Sequence, residues 1–114
     1  MVIVKEKEQF DEMARVKVAS SLDNLPFDVV VQTHEHPPPH AVLLEKNSDT
    51  REKGEFLIPS RPPKFAADIQ DFRKGISGND REILFHWINQ KNKIMPKLTN
   101  WEVLTLLWGL VVNR

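Results

Sequence analysis

The chain contains no cysteine. That excludes disulfides, thiol catalysis and every cysteine-based metal site, and it fits a reducing compartment. Glycine is scarce, with four in 114 residues, and no glycine-rich phosphate loop is present. No serine stands in a nucleophile-elbow motif. There is no excess of either charge: 16 basic and 16 acidic side chains give a formal net charge of zero. A neutral domain has no global attraction to nucleic acid or to an anionic membrane, and near-zero charge favours self-association. Long hydrophobic runs are missing too. Met1-Val2-Ile3-Val4 is too short for a signal peptide. The most apolar stretch, Leu98 to Val112, is interrupted by Thr99, Asn100, Glu102 and Thr105 and falls short of the ~20 residues that cross a bilayer. The expectation is a soluble, cytoplasmic protein with no membrane association.

What remains is an ordinary globular composition, 40% hydrophobic and 28% charged. Its length suits a single domain spanning 1–114, and no internal repeat is visible. Residues 1 to 24 are ambiguous. Phe10, Met13 and Ala14 have helical spacing, which suggests a helix over roughly 6 to 14, whereas Val16 and Val18 alternate like a strand. Phe27 to His34 and Ala41 to Glu45 are rich in β-branched and aliphatic residues and read as strands. Three consecutive prolines separate them and cannot belong to a central strand. A polar connection, Asn47 to Gly54, leads to a third strand, Glu55 to Ile58, stopped by Pro59.

The second half reads as helical. Pro63 suits a first helical position. Phe65, Ile69, Phe72 and Ile76 follow at helical spacing, with Gly75 as a C-terminal stop. Asn79 followed by Glu82 resembles the start of a second helix carrying Ile83, Leu84, Trp87 and Ile88. Thr99 with Glu102 forms a capping box for a third. The residues after it are apolar almost all round the helix, so it must be buried on more than one face. The fold expected is α+β: a small antiparallel β-meander of three or four strands packed on two to four helices. Trp101, Leu104, Trp108 and Val111 are the candidate interface residues of the last helix, for a homodimer or a small protein partner.

Three of the four histidines fall in the loop His34-Glu35-His36-Pro37-Pro38-Pro39-His40. In a hairpin closed by residues 35 to 39, His34 and His40 become cross-strand neighbours about 5 Å apart, a spacing that suits two ligands of one divalent metal such as zinc. His34, His36 and His40 are therefore the candidate metal ligands. Glu35 points to the opposite face in an extended chain. Polyproline geometry would carry His40 about 12 Å from His36, so only a turn, for example one with a cis proline, brings those two together. The loop also reads as a rigid recognition platform formed by Glu35, Pro37, Pro38 and Pro39, or as a stiff connection retained for stability alone.

Val29-Val30-Val31-Gln32-Thr33-His34-Glu35-His36-Pro37-Pro38-Pro39-His40-Ala41-Val42 resembles a family of short bacterial proteins known only as a domain of unknown function. The family's signature is a strand, His-x-Pro-Pro-His-x-His-Val, and a second strand. His36, Pro38, Pro39 and His40 match it. Arg81-Glu82-Ile83-Leu84-Phe85-His86-Trp87 resembles the apolar, Trp-bearing helix that follows in the family. The resemblance covers residues 27–92 and implies a small cytoplasmic protein, in some members one half of a toxin–antitoxin-type pair. Val42 stands where the family has a further histidine, so a ligand set using that residue would be incomplete here.

Other candidates are weaker. His86, between Phe85 and Trp87, reads as a partly buried helix-face residue. Asp68 and Asp71 sit near one turn apart on the expected helix and read as a solvated face. Arg61, Lys64, Lys91, Lys93 and Lys97 form a modest local basic group. Three functions follow from these residues. One is a non-enzymatic interaction module docking through the last helix, possible as one member of a toxin–antitoxin-like pair. The second is a metal-dependent hydrolase or nuclease using the loop histidines. The third is a structural domain of a mobile element or phage.

Overall fold

Of the 114 residues, the computed structural model describes 15–19, 21–32, 36–48 and 50–112. The helix expected over 6 to 14, and His34 with Glu35, lie outside these. The strands are β1 (Arg15–Lys17), β2 (Phe27–Gln32), β3 (His40–Glu45) and β4 (Glu52–Leu57). They form one antiparallel sheet in the order β1-β2-β3-β4, so the α+β class with a small meander is what the chain adopts. β2 and β3 are buried along nearly their whole length, as their unbroken runs of Val and Leu require. Phe27, Val29, Val31, Ala41, Leu43 and Phe56 belong to the main core with the helices. Val30, Val42 and Leu44 form a separate small cluster from the alternate positions. Each such side chain contributes about 1.5–3 kcal/mol relative to an exposed one.

β4 starts at Glu52 rather than Glu55. Its turn closes early because Glu45 N donates to Arg51 O (2.8 Å), Ser48 Oγ accepts from Arg51 N (3.0 Å), and Asn47 adopts φ 64°. An Asn tolerates that left-handed geometry better than most residues.

The helix expected from Pro63 to Gly75 does not form. Only a 3₁₀ turn, Ala66–Asp68, is helical. Residues 70 to 74 run instead along the free edge of β4: Leu57 N donates to Gln70 O, Phe72 N to Glu55 O, and Glu55 N to Lys74 O, each at 2.9 Å. Four residues at helical spacing carry only a weak preference. An unpaired strand edge offers a row of backbone partners, and here it outweighs that preference. Gly54 permits the approach, since a Cβ there would stand 2.8 Å from Gly75 O and 2.9 Å from Ile76 Cγ1. We call residues 70–76 the strap.

Two helices complete the fold, α1 (Gly78–Ile88) and α2 (Asn100–Val112). Ser77, not Asn79, caps α1, its Oγ accepting from Asp80 N at 3.1 Å. The expected Thr99–Glu102 box caps α2: Thr99 Oγ1 accepts from Glu102 N and Glu102 Oε1 accepts from Thr99 N. Among the described residues no helix is long and apolar enough to cross a membrane.

A buried asparagine relay joins the helices. Asn92 Nδ2 donates to Asn100 Oδ1 (3.0 Å), and Asn100 Nδ2 donates to Trp87 O (2.7 Å). Asn92 Oδ1 accepts from Ile94 N and Met95 N, which folds the connecting loop into a fixed turn. Asn100→Ala leaves the buried Asn92 Nδ2 without its acceptor and removes one of the donors to Trp87 O, which keeps Gln90 N. It should cost about 1–3 kcal/mol, read as a lower urea midpoint at unchanged m-value. An unchanged midpoint would show that the relay is energetically idle.

Candidate functional site

Among the described residues of the histidine–proline loop, the two histidines differ in exposure. His36, Pro37, Pro38 and Pro39 are exposed, and the Pro37–Pro38 peptide is cis. His40 is 2% exposed and opens β3. The β2–β3 pairing runs Phe27↔Glu45 to Val30↔Val42. Carried two residues further, that register sets Gln32 level with His40; His34, the partner expected for His40, lies outside the described residues.

Both ring nitrogens of His40 are engaged within the fold. Nδ1 lies 2.8 Å from Pro38 O, and Nε2 lies 3.3 Å from Arg73 Nη2. A guanidinium can only donate. Nε2 is therefore the acceptor and Nδ1 carries the proton, a tautomer assigned from the hydrogen-bond network. The ring packs at 4.5 Å from Phe72 and 5.1 Å from Trp108, centroid to centroid. A metal ion at Nε2 would have to displace Arg73, since one lone pair cannot serve both. Among the described residues no three metal-ligating side chains lie together.

Arg73 reaches His40 because of the strap. It adopts φ 52°, and Lys74 N bonds back to Phe72 O, a three-residue turn. A non-glycine residue in that region is held there by its surroundings. The turn presents the guanidinium to Glu55 as a fork, Nε to Oε1 at 3.1 Å and Nη2 to Oε2. Glu55 is buried on β4, so its charge needs this partner. Neither residue carried a local signal in the sequence. They lie 18 positions apart, and the strap that joins them has the spacing of a helix.

The strap's other end is clamped by α1. Arg81 donates to Ile69 O (2.6 Å), Asp71 Oδ1 (2.7 Å) and Ile76 O (3.2 Å). Asp71 and Asp68 thus have structural partners in place of the shared helical face expected of them. Asp68 Oδ2 accepts from Lys64 N and Phe65 N. His86 is exposed rather than partly buried, 3.8 Å from Glu82 and packed on Phe85.

The candidate interface residues of α2 divide. Leu104 is fully buried and Trp108 is 8% exposed, both in the chain's own core. Trp101 is half-buried and donates from Nε1 to Pro59 O at 2.8 Å. The side chain of Val111 lies outside what is described. The outward positions are Thr105, Leu106 and Leu110. Uniform hydrophobicity hid this division, because the pattern has no polar face to mark the outside.

No family model, no curated protein and no solved structure matches this chain.

Arg73→Ala leaves the buried Glu55 carboxylate with water alone on one side. Arg73 is half exposed, so the expected loss sits at the low end of about 1–3 kcal/mol. Arg73→Lys, which has no fork, should recover only part of it in chemical denaturation. Full recovery by lysine would mean that charge alone matters here.

Asp71 yields a pH prediction. The hydrogen bond from Arg81 holds its carboxyl below the ordinary carboxylate range; burial opposes this, while the Ile76 N–H and the charge of Arg81 add to it. A lowered folded-state value contributes stability above the ordinary range, lost as pH falls through the folded value. Asp71→Asn should be less stable than wild type at neutral pH, with the gap closing below about pH 4. A gap constant down to acid would sink this assignment.

Proposed function

We propose that this chain is a non-enzymatic protein-interaction module that pairs with a second copy of itself through the outer face of α2. One observation carries the reading. Leu106 and Leu110, one turn apart, are 53% and 61% exposed, although the opposite side of the same helix fills the core with Val103, Leu104 and Trp108. No charged residue occurs between Val103 and Val112. A solvated helix face ordinarily carries charge.

Gly109 lies between these leucines and supports the reading. A glycine inside a helix costs roughly 0.5–1 kcal/mol relative to alanine. Its chain neighbours and the helix's own backbone aside, no atom of the described residues comes within 4 Å of where its Cβ would sit, so packing among the described residues does not require it. A partner helix lying across Leu106, Gly109 and Leu110 does, because the missing side chain lets two backbones approach. An uncharged face can meet its own copy about a two-fold axis without like-charge repulsion. The chain's zero net charge points the same way.

Light scattering over a concentration series tests this. Wild type should pass from monomer to dimer as concentration rises. Leu106→Glu with Leu110→Glu should stay monomeric at an unchanged thermal midpoint. Gly109→Leu should weaken pairing about tenfold or more, while Gly109→Ala stabilises the monomer by about 0.5–1 kcal/mol. A wild-type protein that remains monomeric throughout overturns the proposal.

A further inference from the structure

The charge of this chain is zero overall but not evenly placed. Thirteen lysines and arginines fall among the described residues. Seven of them pair with a carboxylate: Arg15, Lys17, Lys46, Arg51, Lys53, Arg73 and Arg81. Lys74 donates to Glu52 O. The remaining five, Arg61, Lys64, Lys91, Lys93 and Lys97, are exposed and have no such contact from their side chains. All five lie in two loops, residues 59–65 and 89–99, which contain no Asp or Glu. Elsewhere the chain has eleven basic against sixteen acidic side chains.

The fold places these two loops side by side. Asn89 Nδ2 donates to Pro63 O at 3.0 Å, one residue before Lys64 and two before Lys91. Trp101 Nε1 donates to Pro59 O, two residues before Arg61. The second loop is stiff: Lys91 pairs with Thr99, Asn92 N donates to Leu98 O, and the buried Asn92 holds the turn from inside. The carboxylates that follow the two loops in sequence accept local amide hydrogen bonds and pair with none of the five cations. Asp68 accepts from the Lys64 and Phe65 amides, and Glu102 from Thr99.

Apolar groups stand among the cations. Phe65, Ile94 and Met95 are 68%, 69% and 46% exposed. Beside Arg61 and Lys64 lies a cleft of about 520 Å³, lined also by Leu57, Pro59, Ser60, Gln70 and one carboxylate, Asp68. Unpaired cations track a phosphate backbone, an exposed aromatic ring offers a platform for a base, and amide and hydroxyl groups can bond a base edge. An anionic bilayer would find the same cations, but a flat headgroup layer has no use for a cleft. We infer that this end of the molecule binds single-stranded nucleic acid, RNA or DNA. The cations hold phosphates, Phe65 stacks a base, and the cleft takes a neighbouring nucleotide. The inference stands apart from pairing through α2 and does not depend on it.

The test is fluorescence anisotropy with the full chain and labelled oligouridylate or oligodeoxythymidylate of about 12 nucleotides. Salt is varied between about 50 and 200 mM. If all five cations neutralise phosphates, log affinity against log salt should have a slope of about −3.5. Lys91→Ser, Lys93→Ser and Lys97→Ser together should weaken binding about tenfold or more and reduce the slope by about 2. Phe65→Ser should weaken binding roughly fivefold or more. Lys46→Ser, removing a cation paired with Asp28, should change nothing. Binding of either oligomer with these responses supports the inference, and the preferred sugar tells RNA from DNA. No binding at the lowest salt, binding undiminished in the triple variant, or capture by phosphatidylserine vesicles alone would each overturn it.

Discussion

The pairing of residues 70–74 with the edge of β4 is the interaction on which most of this structure depends. It turns a segment with helical spacing into a fifth extended line beside the sheet and covers an edge that would otherwise offer its backbone to other chains. The strap then sets where three charged groups go. Arg73 is turned back over Glu55 and His40, Asp71 is presented to Arg81, and Lys74 caps Glu52 O. Gly54 is the permissive element, because any Cβ there would meet the backbone of Gly75. Without that approach the buried Glu55 would lack its fork of donors.

The histidine loop takes a different meaning in this setting. A cluster of histidines beside prolines reads as ligand chemistry, yet His40 serves as a linchpin between the loop, the strap and α2. It touches Pro38, Arg73, Phe72 and Trp108. Its Nε2 faces a cation, and a group so placed holds a fold together more readily than it holds a metal. The two surfaces proposed for recognition lie elsewhere: one is uncharged on α2, and the other is basic at the junction of two loops. They differ in the physics of recognition. Apolar pairing is insensitive to salt, whereas phosphate contacts weaken steeply with it.

Much of the framework could be read from residue types alone. The runs in β2 and β3 are β-branched and aliphatic, and strands are what such residues favour. The Thr99–Glu102 box is a local device, complete within four residues, so its outcome depends on nothing distant. The cap of α1 moved from Asn79 to Ser77 because both residue types can cap, and only the path of the incoming strap selects between them. The segment from Phe65 to Ile76 departs from its helical spacing for a related reason. Its periodicity is real, but a free strand edge supplies backbone hydrogen bonds that spacing cannot anticipate.

Residue types and their order suffice for the class of the fold, the strands around the three prolines, the start of α2 and the absence of thiol chemistry. These rest on local propensity, on short-range caps and on composition. Long-range packing buried His40, joined Glu55 to Arg73, and turned Leu106 and Leu110 outward on an all-apolar helix. It also decided that five cations from two separate loops share one end of the molecule. Each of those outcomes requires groups far apart in the chain to compete for the same partner, and that competition is settled by the packed backbone.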